Sequence, residues 1–203
     1  MKKSLGYEIV MTALVLVIIA GVAGALLGLV NHFTAVKPED LLARKASAVY
    51  DGDLKPYESP EGMTGVIDYD SGDVLGVYVS KSEPDVYVIV AEGEGAYKGT
   101  LQILVNITKG RIAKIAKYDA NETPGLGSKA LEESYFRQQY YGKEITPEFK
   151  GFGLAKGESK TPADVAAVSG ASKSSTAVKN AVNAAAKWYQ VRVLSTREVP
   201  DEK

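Results

Sequence analysis

A run of 22 residues without a charged side chain, residues 9–30, constrains the fold of this chain more than any other feature. An α-helix of that length would reach about 33 Å, enough to cross the hydrocarbon core of a membrane. We therefore predict a transmembrane helix over 9–30. The alternative is a cleavable signal peptide, because Ala23, Gly24 and Ala25 resemble the small residues of a cleavage site. The run is, however, longer than the usual apolar region of about 7 to 15 residues in such peptides.

The charges that flank this run do not decide its orientation. Two basic residues precede it, and three follow it within a short distance: Lys2 and Lys3, then Lys37, Arg44 and Lys45. The excess of Lys and Arg on the cytoplasmic side that usually sets orientation is therefore nearly balanced here.

The composition excludes several classes of chemistry. With 24 basic and 25 acidic residues, the chain has no basic excess of the kind that attracts nucleic acid. It contains no cysteine, so disulfides, thiolate nucleophiles and thiolate-bound iron–sulfur clusters are excluded. Its one histidine, His32, has no second histidine with which to build a metal site or a catalytic triad, and we expect it at the membrane interface. Redox chemistry in this chain would need a bound cofactor.

The rest of the chain divides into a linker, one domain and a tail. We expect a linker over 31–62 that contains a short helix at 38–50 and a surface loop at 51–62, then a single domain over 63–195 and a frayed tail over 196–203. Residues typical of strands occupy five segments: 65–69, 74–80, 86–91, 100–108 and 111–118. Apolar residues at helical spacing predict helices at 128–141 and 174–192. Strands followed by helices favour an α+β fold with a mainly antiparallel sheet.

The segment 100–108 shows which way the sheet faces. Four apolar residues alternate along it, Leu101, Ile103, Val105 and Ile107, whereas Gln102 and Asn106 fall between them. This alternation predicts one buried sheet face and one partly solvated face. Lys109 and Gly110 then form a hairpin signal before the next strand.

Several hydroxyl residues cluster in the segment 168–176, which leads directly into the alanine-rich helix. It combines hydroxyl, small and basic residues: Ser169, Gly170, Ala171, Ser172, Lys173, Ser174 and Ser175. A helix N-terminus has unpaired N–H groups and a partial positive charge, so a phosphate could bind there. Alternatively, a serine at this position simply caps the helix.

A second distinctive string, residues 121–127, lies between the last strand and the helix predicted at 128–141. Pro124 fixes one φ angle and favours an extended Thr123, while Gly125 and Gly127 permit tight turns. The string is either a shaped binding loop or an ordinary connector.

Together and in this order, the two strings resemble the pair of motifs of the FMN-binding domain family of membrane redox complexes. The string Glu-Thr-Pro-Gly-Leu-Gly at 122–127, the segment 95–99 before a strand, and Ser-Gly-Ala-Ser-Lys-Ser at 169–174 are similar to those of the G subunits of Rnf complexes. The resemblance covers essentially the whole chain. It implies residues 1–8 in the cytoplasm, one uncleaved span in the cell membrane, and an extracytoplasmic domain.

The resemblance also implies how the cofactor is held. In that family a separate flavin transferase esterifies the last hydroxyl residue of the Ser-Gly-Ala-Ser-x-Ser string to the phosphate of FMN, which corresponds to Ser174. Neighbouring hydroxyls at Ser172, Ser175 and Thr176 are alternatives. The family's loop lies near the flavin, which implies Thr123, Gly125 and Leu126 as neighbours and Glu122 as a supporting polar residue. Lys98 stands where the family usually has glycine, so we assign no cofactor role to the turn near Tyr97.

The function implied by the resemblance is electron transfer within a larger complex. Such a complex passes electrons between ferredoxin and NAD⁺ and couples their flow to Na⁺ or H⁺ movement, so the expected partners are the other Rnf subunits. The alternatives are the C subunit of the Na⁺-translocating NADH:quinone reductase, a membrane-anchored flavin-binding sensory domain, and a purely structural anchored domain.

Overall fold

The computed structural model describes residues 5–34, 42, 44–58, 67–68, 71–132, 134, 136–157 and 161–197, in two compact units, Met1–Leu41 and Leu42–Lys203. The described residues of the first unit form the helix α1 (Leu5–Thr34). Within its stretch Gly6–Phe33, a window of 18 residues has a mean hydropathy of 2.8, so the helix is long and apolar enough to cross a membrane. The observed helix extends the segment predicted at 9–30 by a turn at each end.

The second unit contains an antiparallel sheet of six strands. They are β1 (Leu54–Pro56), β2 (Ile67–Asp68), β3 (Gly72–Ser80), β4 (Val86–Ala96), β5 (Gly99–Thr108) and β6 (Arg111–Asp119). The strand order is β1-β3-β4-β5-β6, and β2 also pairs with β3. The predicted strands at 74–80, 86–91, 100–108 and 111–118 are confirmed. Of the remaining predicted strand, 65–69, residues 67 and 68 form β2, and residues 65, 66 and 69 lie outside the described residues.

The hairpin between β5 and β6 has the predicted turn. Lys109 and Gly110 both adopt positive φ angles, 51° and 76°. These angles suit a two-residue hairpin turn, which matches the twist of the strands that it joins.

Strand β1 falls in the segment 51–62, which the sequence predicted to be a surface loop. Leu54 pairs with Ser80 and Pro56 with Tyr78 at the edge of the sheet. Proline is tolerated there because an edge strand need not donate every N–H. Three residues are too short to show an alternation, so the strand left no signal in the sequence.

The long helix α2 (Ser172–Tyr189) packs against one face of the sheet, over β3, β4 and β5. It begins two residues before the predicted start, and after Tyr189 the chain continues as a π-helix, Gln190–Leu194, and a last turn, α3 (Ser195–Arg197). Gly93 of β4 lets the two elements approach. A Cβ at that position would overlap the carbonyl oxygen of Ala177 and lie 2.7 Å from the amide nitrogen of Ala181.

The opposite face of the sheet is more buried than the sequence predicted. Leu42, Ala46 and Val49 cover a second apolar cluster that includes Leu104. Asn106, expected on a partly solvated face, is 4% exposed, and its side-chain N–H donates to the carbonyl oxygen of Val49 at 2.9 Å. The expectation is therefore wrong over the centre of the sheet, because a segment from before the sheet covers it.

The compact unit that contains the sheet begins earlier in the chain than the domain start predicted from the sequence. The predicted start, near residue 63, lies outside the described residues, and the compact unit begins already at Leu42, inside the predicted linker. Of the helix predicted over 38–50, the described residues 42 and 44–46 are helical and a turn follows at 47–49.

The single helix predicted over 128–141 is wrong. Two short 3₁₀-helices, Gly127–Leu131 and Arg137–Tyr140, occupy the segment instead. Glu132 is extended, with φ −84° and ψ 135°, and this ends the first turn. Leu131 and Phe136, which stand at helical spacing, are both buried. Two separate turns can bury such residues as effectively as one helix, so the spacing did not distinguish the two structures.

A short parallel pair completes the unit: β7 (Gly153–Ala155) and β8 (Asp164–Ala166). Each strand has three residues, and neither was predicted. With the antiparallel sheet and the packed helix α2, the unit has the predicted α+β fold.

Candidate functional site

The structure brings the two distinctive strings of the sequence into direct contact. The loop that follows β6 places Glu122 against the first turn of α2, where the Ser174 hydroxyl donates to the Oε2 atom of Glu122 at 2.5 Å. The two residues are 52 positions apart in the chain. Ser174 is only 2% exposed, so this contact lies within the protein beneath the loop.

Gly127 makes room for this contact. A Cβ on Gly127 would overlap the Oε2 atom of Glu122 and would lie 2.7 Å from the Oγ atom of Ser174. The absence of a side chain is therefore what allows the loop to close over the helix start.

The backbone of the loop is held by local hydrogen bonds. The amides of Leu126 and Ser128 both donate to the carbonyl oxygen of Thr123 at 3.2 Å. Gly125 has a φ of 74°, and its N–H donates to the Ser128 hydroxyl at 3.0 Å. The loop is thus a defined turn in which Thr123, Gly125 and Leu126 are exposed.

The start of α2 has N–H groups available for an anion. Its N-cap residue is the buried Ala171, and no side chain among the described residues forms a capping hydrogen bond there. Gly170 precedes it with a φ of 76°, a value that favours glycine. A helix start without a side-chain cap leaves donors and a partial positive charge, to which a phosphate group is complementary.

The candidate hydroxyls differ in their surroundings. The Ser175 side chain is fully buried, and its Oγ accepts a hydrogen bond from the amide of Val168 at 3.1 Å. The Thr176 hydroxyl donates to the carbonyl oxygen of Ser172 at 2.9 Å. Ser169 and Ser172 are exposed. Ser175 and Thr176 thus take part in the local structure of the helix, whereas Ser174 contacts a carboxylate.

Two apolar side chains are exposed around the same helix start. Leu126 is 55% exposed and lies 3.9 Å from the position that a Cβ of Gly170 would occupy. Tyr97, in the turn between β4 and β5, is 70% exposed, and the ammonium of Lys173 lies 5.8 Å from the centre of its ring. No role was predicted for Tyr97 from the sequence, although the segment 95–99 formed part of the resemblance.

These residues fit FMN. The uncapped helix start suits a phosphate, and at Gly170 the nearest atom that a Cβ would meet among the described residues is in the Leu126 side chain, at 3.9 Å, which leaves space beside the helix start. The exposed side chains of Leu126 and Tyr97 offer apolar surface for a ring system. One hydroxyl, that of Ser174, lies in the first turn with a carboxylate as its partner.

Comparison with known proteins agrees with this geometry. Residues 96–187, which include both strings, match the protein family described as FMN-binding domain. The chain is 30% identical over 190 residues to the G subunit of the Na⁺-translocating ferredoxin:NAD⁺ oxidoreductase complex of Acetobacterium woodii, a match that covers 87% of this chain and 89% of that protein. It is 35% identical over 100 residues to the G subunit of the proton-translocating ferredoxin:NAD⁺ oxidoreductase complex of Clostridium ljungdahlii, covering 49% and 50% of the two chains.

Among solved structures, NqrC of Shewanella oneidensis has a similar fold, with a TM-score of 0.50 at 16% identity, over 75% of this chain and 91% of that one. This likeness concerns the fold alone. The sequence similarity over nearly the whole length of the Acetobacterium woodii protein goes further, and it confirms the resemblance that the two strings indicated. The chain belongs to the family of G subunits of ion-translocating ferredoxin:NAD⁺ oxidoreductase complexes, and it contains an FMN-binding domain.

Proposed function

We propose that this chain is the membrane-anchored electron-transfer subunit of an Rnf-type complex and that it carries FMN esterified to Ser174. The observation that carries the proposal is the contact between Ser174 and Glu122 at an uncapped helix start, which joins the two family motifs in one site. An ester at Ser174 would place the flavin phosphate among the first N–H groups of α2.

In this arrangement the protein holds and tunes the cofactor. When bound, FMN supplies the capacity to accept and release electrons, which the side chains of this chain lack. Lys173 adds a positive charge beside the phosphate position. The loop residues Thr123, Gly125 and Leu126 are exposed, and as neighbours of the flavin they would set the polarity around it.

The anchor holds the chain at the membrane but provides no ion pathway. No charged residue lies within residues 9–30, and membrane segments that move ions normally use ionisable groups. The chain therefore acts as a relay and is not catalytic alone, while other Rnf subunits supply the electron donor, the electron acceptor and the ion path. The two relatives name Na⁺ and protons respectively, so either ion fits this proposal.

Mass spectrometry of variants tests the attachment. The full-length chain, produced with an active flavin transferase, should gain the mass of FMN minus water. Ser174→Ala should lose this addition completely, and Ser174→Thr should keep it. Ser175→Ala is the matched control, since it removes the adjacent buried hydroxyl and should keep the flavin. Flavin retained by Ser174→Ala and lost by Ser172→Ala or Ser175→Ala would refute the assignment.

We further propose that the N-terminus is cytoplasmic, that α1 is not cleaved, and that the FMN-binding domain lies outside the cytoplasm. The charge-free run over 9–30, which lies within α1, and the family's membrane complexes support this topology. Protease added to intact spheroplasts should digest the domain. Protection of the domain, or a mature chain that begins after residue 25, would contradict it.

A further inference from the structure

The partner of the Ser174 hydroxyl distinguishes it from the hydroxyls beside it. Of the three neighbouring hydroxyls at residues 174–176, all within the described part of the chain, the Ser174 hydroxyl alone contacts a carboxylate. The Ser175 oxygen accepts from a backbone amide, and the Thr176 hydroxyl donates to a backbone carbonyl. An amide or a carbonyl group is not a base at neutral pH, whereas an ionised carboxylate accepts protons.

The direction of the hydrogen bond between Ser174 and Glu122 suits removal of the hydroxyl proton. An ionised carboxylate has no proton to donate, so the hydrogen bond of 2.5 Å is directed from the Ser174 hydroxyl to Glu122. The hydroxyl proton therefore already points at the group that would remove it. This distance is that of a short, charge-assisted hydrogen bond between a hydroxyl and a carboxylate, about 2.5–2.7 Å, so Glu122 is within reach of the proton that a general base would abstract.

We propose that Glu122 is the general base for the attachment of flavin to its own domain. The proposal rests on the proposed attachment at Ser174 and assigns Glu122 a role in that reaction, beyond the supporting role that the family resemblance implied. The transferase would then bind and orient the flavin donor, while the acceptor domain deprotonates its own nucleophile.

The reaction balances with a flavin dinucleotide as the donor. Glu122 takes the proton of Ser174, and the Ser174 oxygen attacks the phosphorus of the FMN half of the pyrophosphate. The bond from that phosphorus to the bridging oxygen breaks, and the nucleoside monophosphate leaves with the bond's electron pair. The flavin becomes a phosphodiester of Ser174, with no change in oxidation state. Free FMN would instead have to expel hydroxide, a much poorer leaving group.

The test measures how fast the full-length, flavin-free chain is modified by the transferase and flavin adenine dinucleotide. Glu122→Gln keeps the shape of the side chain and a hydrogen-bond acceptor but cannot take the proton. With this variant as acceptor, the kcat of the transferase should fall roughly 100-fold, because general bases typically contribute factors of 10² to 10⁴. The KM for the acceptor should stay within about twofold of the wild-type value. Glu92→Gln is the matched control, since Glu92 is also half-buried and also accepts from a side chain, at 2.8 Å from Gln102. Its rate should be unchanged.

A third variant separates basicity from shape. Glu122→Asp keeps the carboxylate and shortens the side chain. If Glu122 acts as a base, Glu122→Asp should be modified at least tenfold faster than Glu122→Gln. A purely structural role predicts the reverse order, because glutamine fits the site better. Equal rates for the two variants, or a wild-type rate for Glu122→Gln, would overturn the proposal while leaving attachment at Ser174 intact. Flavin retained by Ser174→Ala would overturn both.

Discussion

The two ends of helix α2 are built in opposite ways. At the C-terminal end, Trp188 and Tyr189 are buried and pack with Tyr57 and Tyr87. The ring centres lie 5.1 Å apart for Tyr57 and Trp188, and 5.4 Å apart for Tyr87 and Tyr189, both in edge-to-face geometry. At the N-terminal end, no side chain in the described part of the protein caps the helix, and Tyr97 beside it is largely exposed.

The C-terminal end of α2 therefore fixes the helix in place, whereas the N-terminal end is available for binding. Edge-to-face aromatic pairs add about 0.5–1.5 kcal/mol each beyond the burial of their area, so the C-terminal end anchors α2 firmly. Gly93 then sets how closely the helix crosses the sheet. With its position fixed elsewhere, the N-terminal end can leave N–H groups without a side-chain cap and can place a buried serine hydroxyl against a carboxylate.

The largest expected effect comes from removing the anchor. Trp188→Ala should lower the free energy of unfolding by about 3–5 kcal/mol, because it leaves a cavity between the sheet and the helix. Tyr97→Ala removes an exposed aromatic at the other end and should change stability by less than about 0.5 kcal/mol. Urea unfolding followed by tryptophan or tyrosine fluorescence and circular dichroism measures both. Similar losses for the two variants would remove the distinction between the ends.

An added methyl group at the N-terminal end should affect modification far more than stability. Gly127→Ala places a Cβ where the Glu122 carboxylate lies, and that flexible side chain can move away from Ser174. Gly127 is buried, but the nearest atom is at the end of the flexible Glu122 side chain, so we expect a loss of unfolding free energy of only about 1 kcal/mol. Flavin incorporation should slow about tenfold, as expected when a general base is displaced. Wild-type incorporation kinetics would show that the contact has no role in attachment.

Two glycines of nearly identical conformation isolate the effect of the loop on the flavin. Gly125 and Gly142 have φ angles of 74° and 77°, and at either position a Cβ would meet no atom of the described residues within 4 Å. Valine at either position should cost about 1–3 kcal/mol through backbone strain. Flavin should stay attached in both variants. Gly125→Val alone should change the visible spectrum and the midpoint potential; equal spectra would make 122–127 an ordinary connector.

The smallest effect tests whether every buried hydroxyl matters. Within the described residues the Tyr140 hydroxyl has no hydrogen-bond partner, and burial raises its pKa well above the ordinary value. The group therefore stays neutral at physiological pH. Tyr140→Phe should leave the free energy of unfolding unchanged or raise it by up to about 1 kcal/mol, because an unsatisfied group is removed. A loss above about 1 kcal/mol in thermal unfolding would reveal a partner for this hydroxyl.

The sequence predicted the features that depend on local patterns. Alternation along residues 101–107 indicated β5, and Lys109 and Gly110 indicated the hairpin. The alanine-rich helix followed from composition and spacing. Features that depend on distant residues were missed: the covering of Asn106 by residues 42–49, the short strands β1, β7 and β8, and the replacement of one helix by two 3₁₀ turns.

The site shows the same division. The family strings indicated Ser174 and the loop residues, yet nothing local in the sequence showed that Glu122 would accept a hydrogen bond from Ser174, 52 residues away. The need for glycine at position 127 also depends on that contact, because the space it leaves is occupied by both side chains. Such a requirement becomes visible only when the two segments are placed together.

Peptide mapping of the natural complex tests the central claim most directly. Trypsin cleaves after Lys160, Lys173 and Lys179, so Ser169 and Ser172 fall in the peptide 161–173, whereas Ser174 falls in the peptide 174–179. Attachment at Ser174 predicts the mass of FMN minus water on 174–179, with fragment ions that place it on the first residue. The same addition on 161–173, or fragment ions that place it on Ser175 or Thr176, would contradict the account.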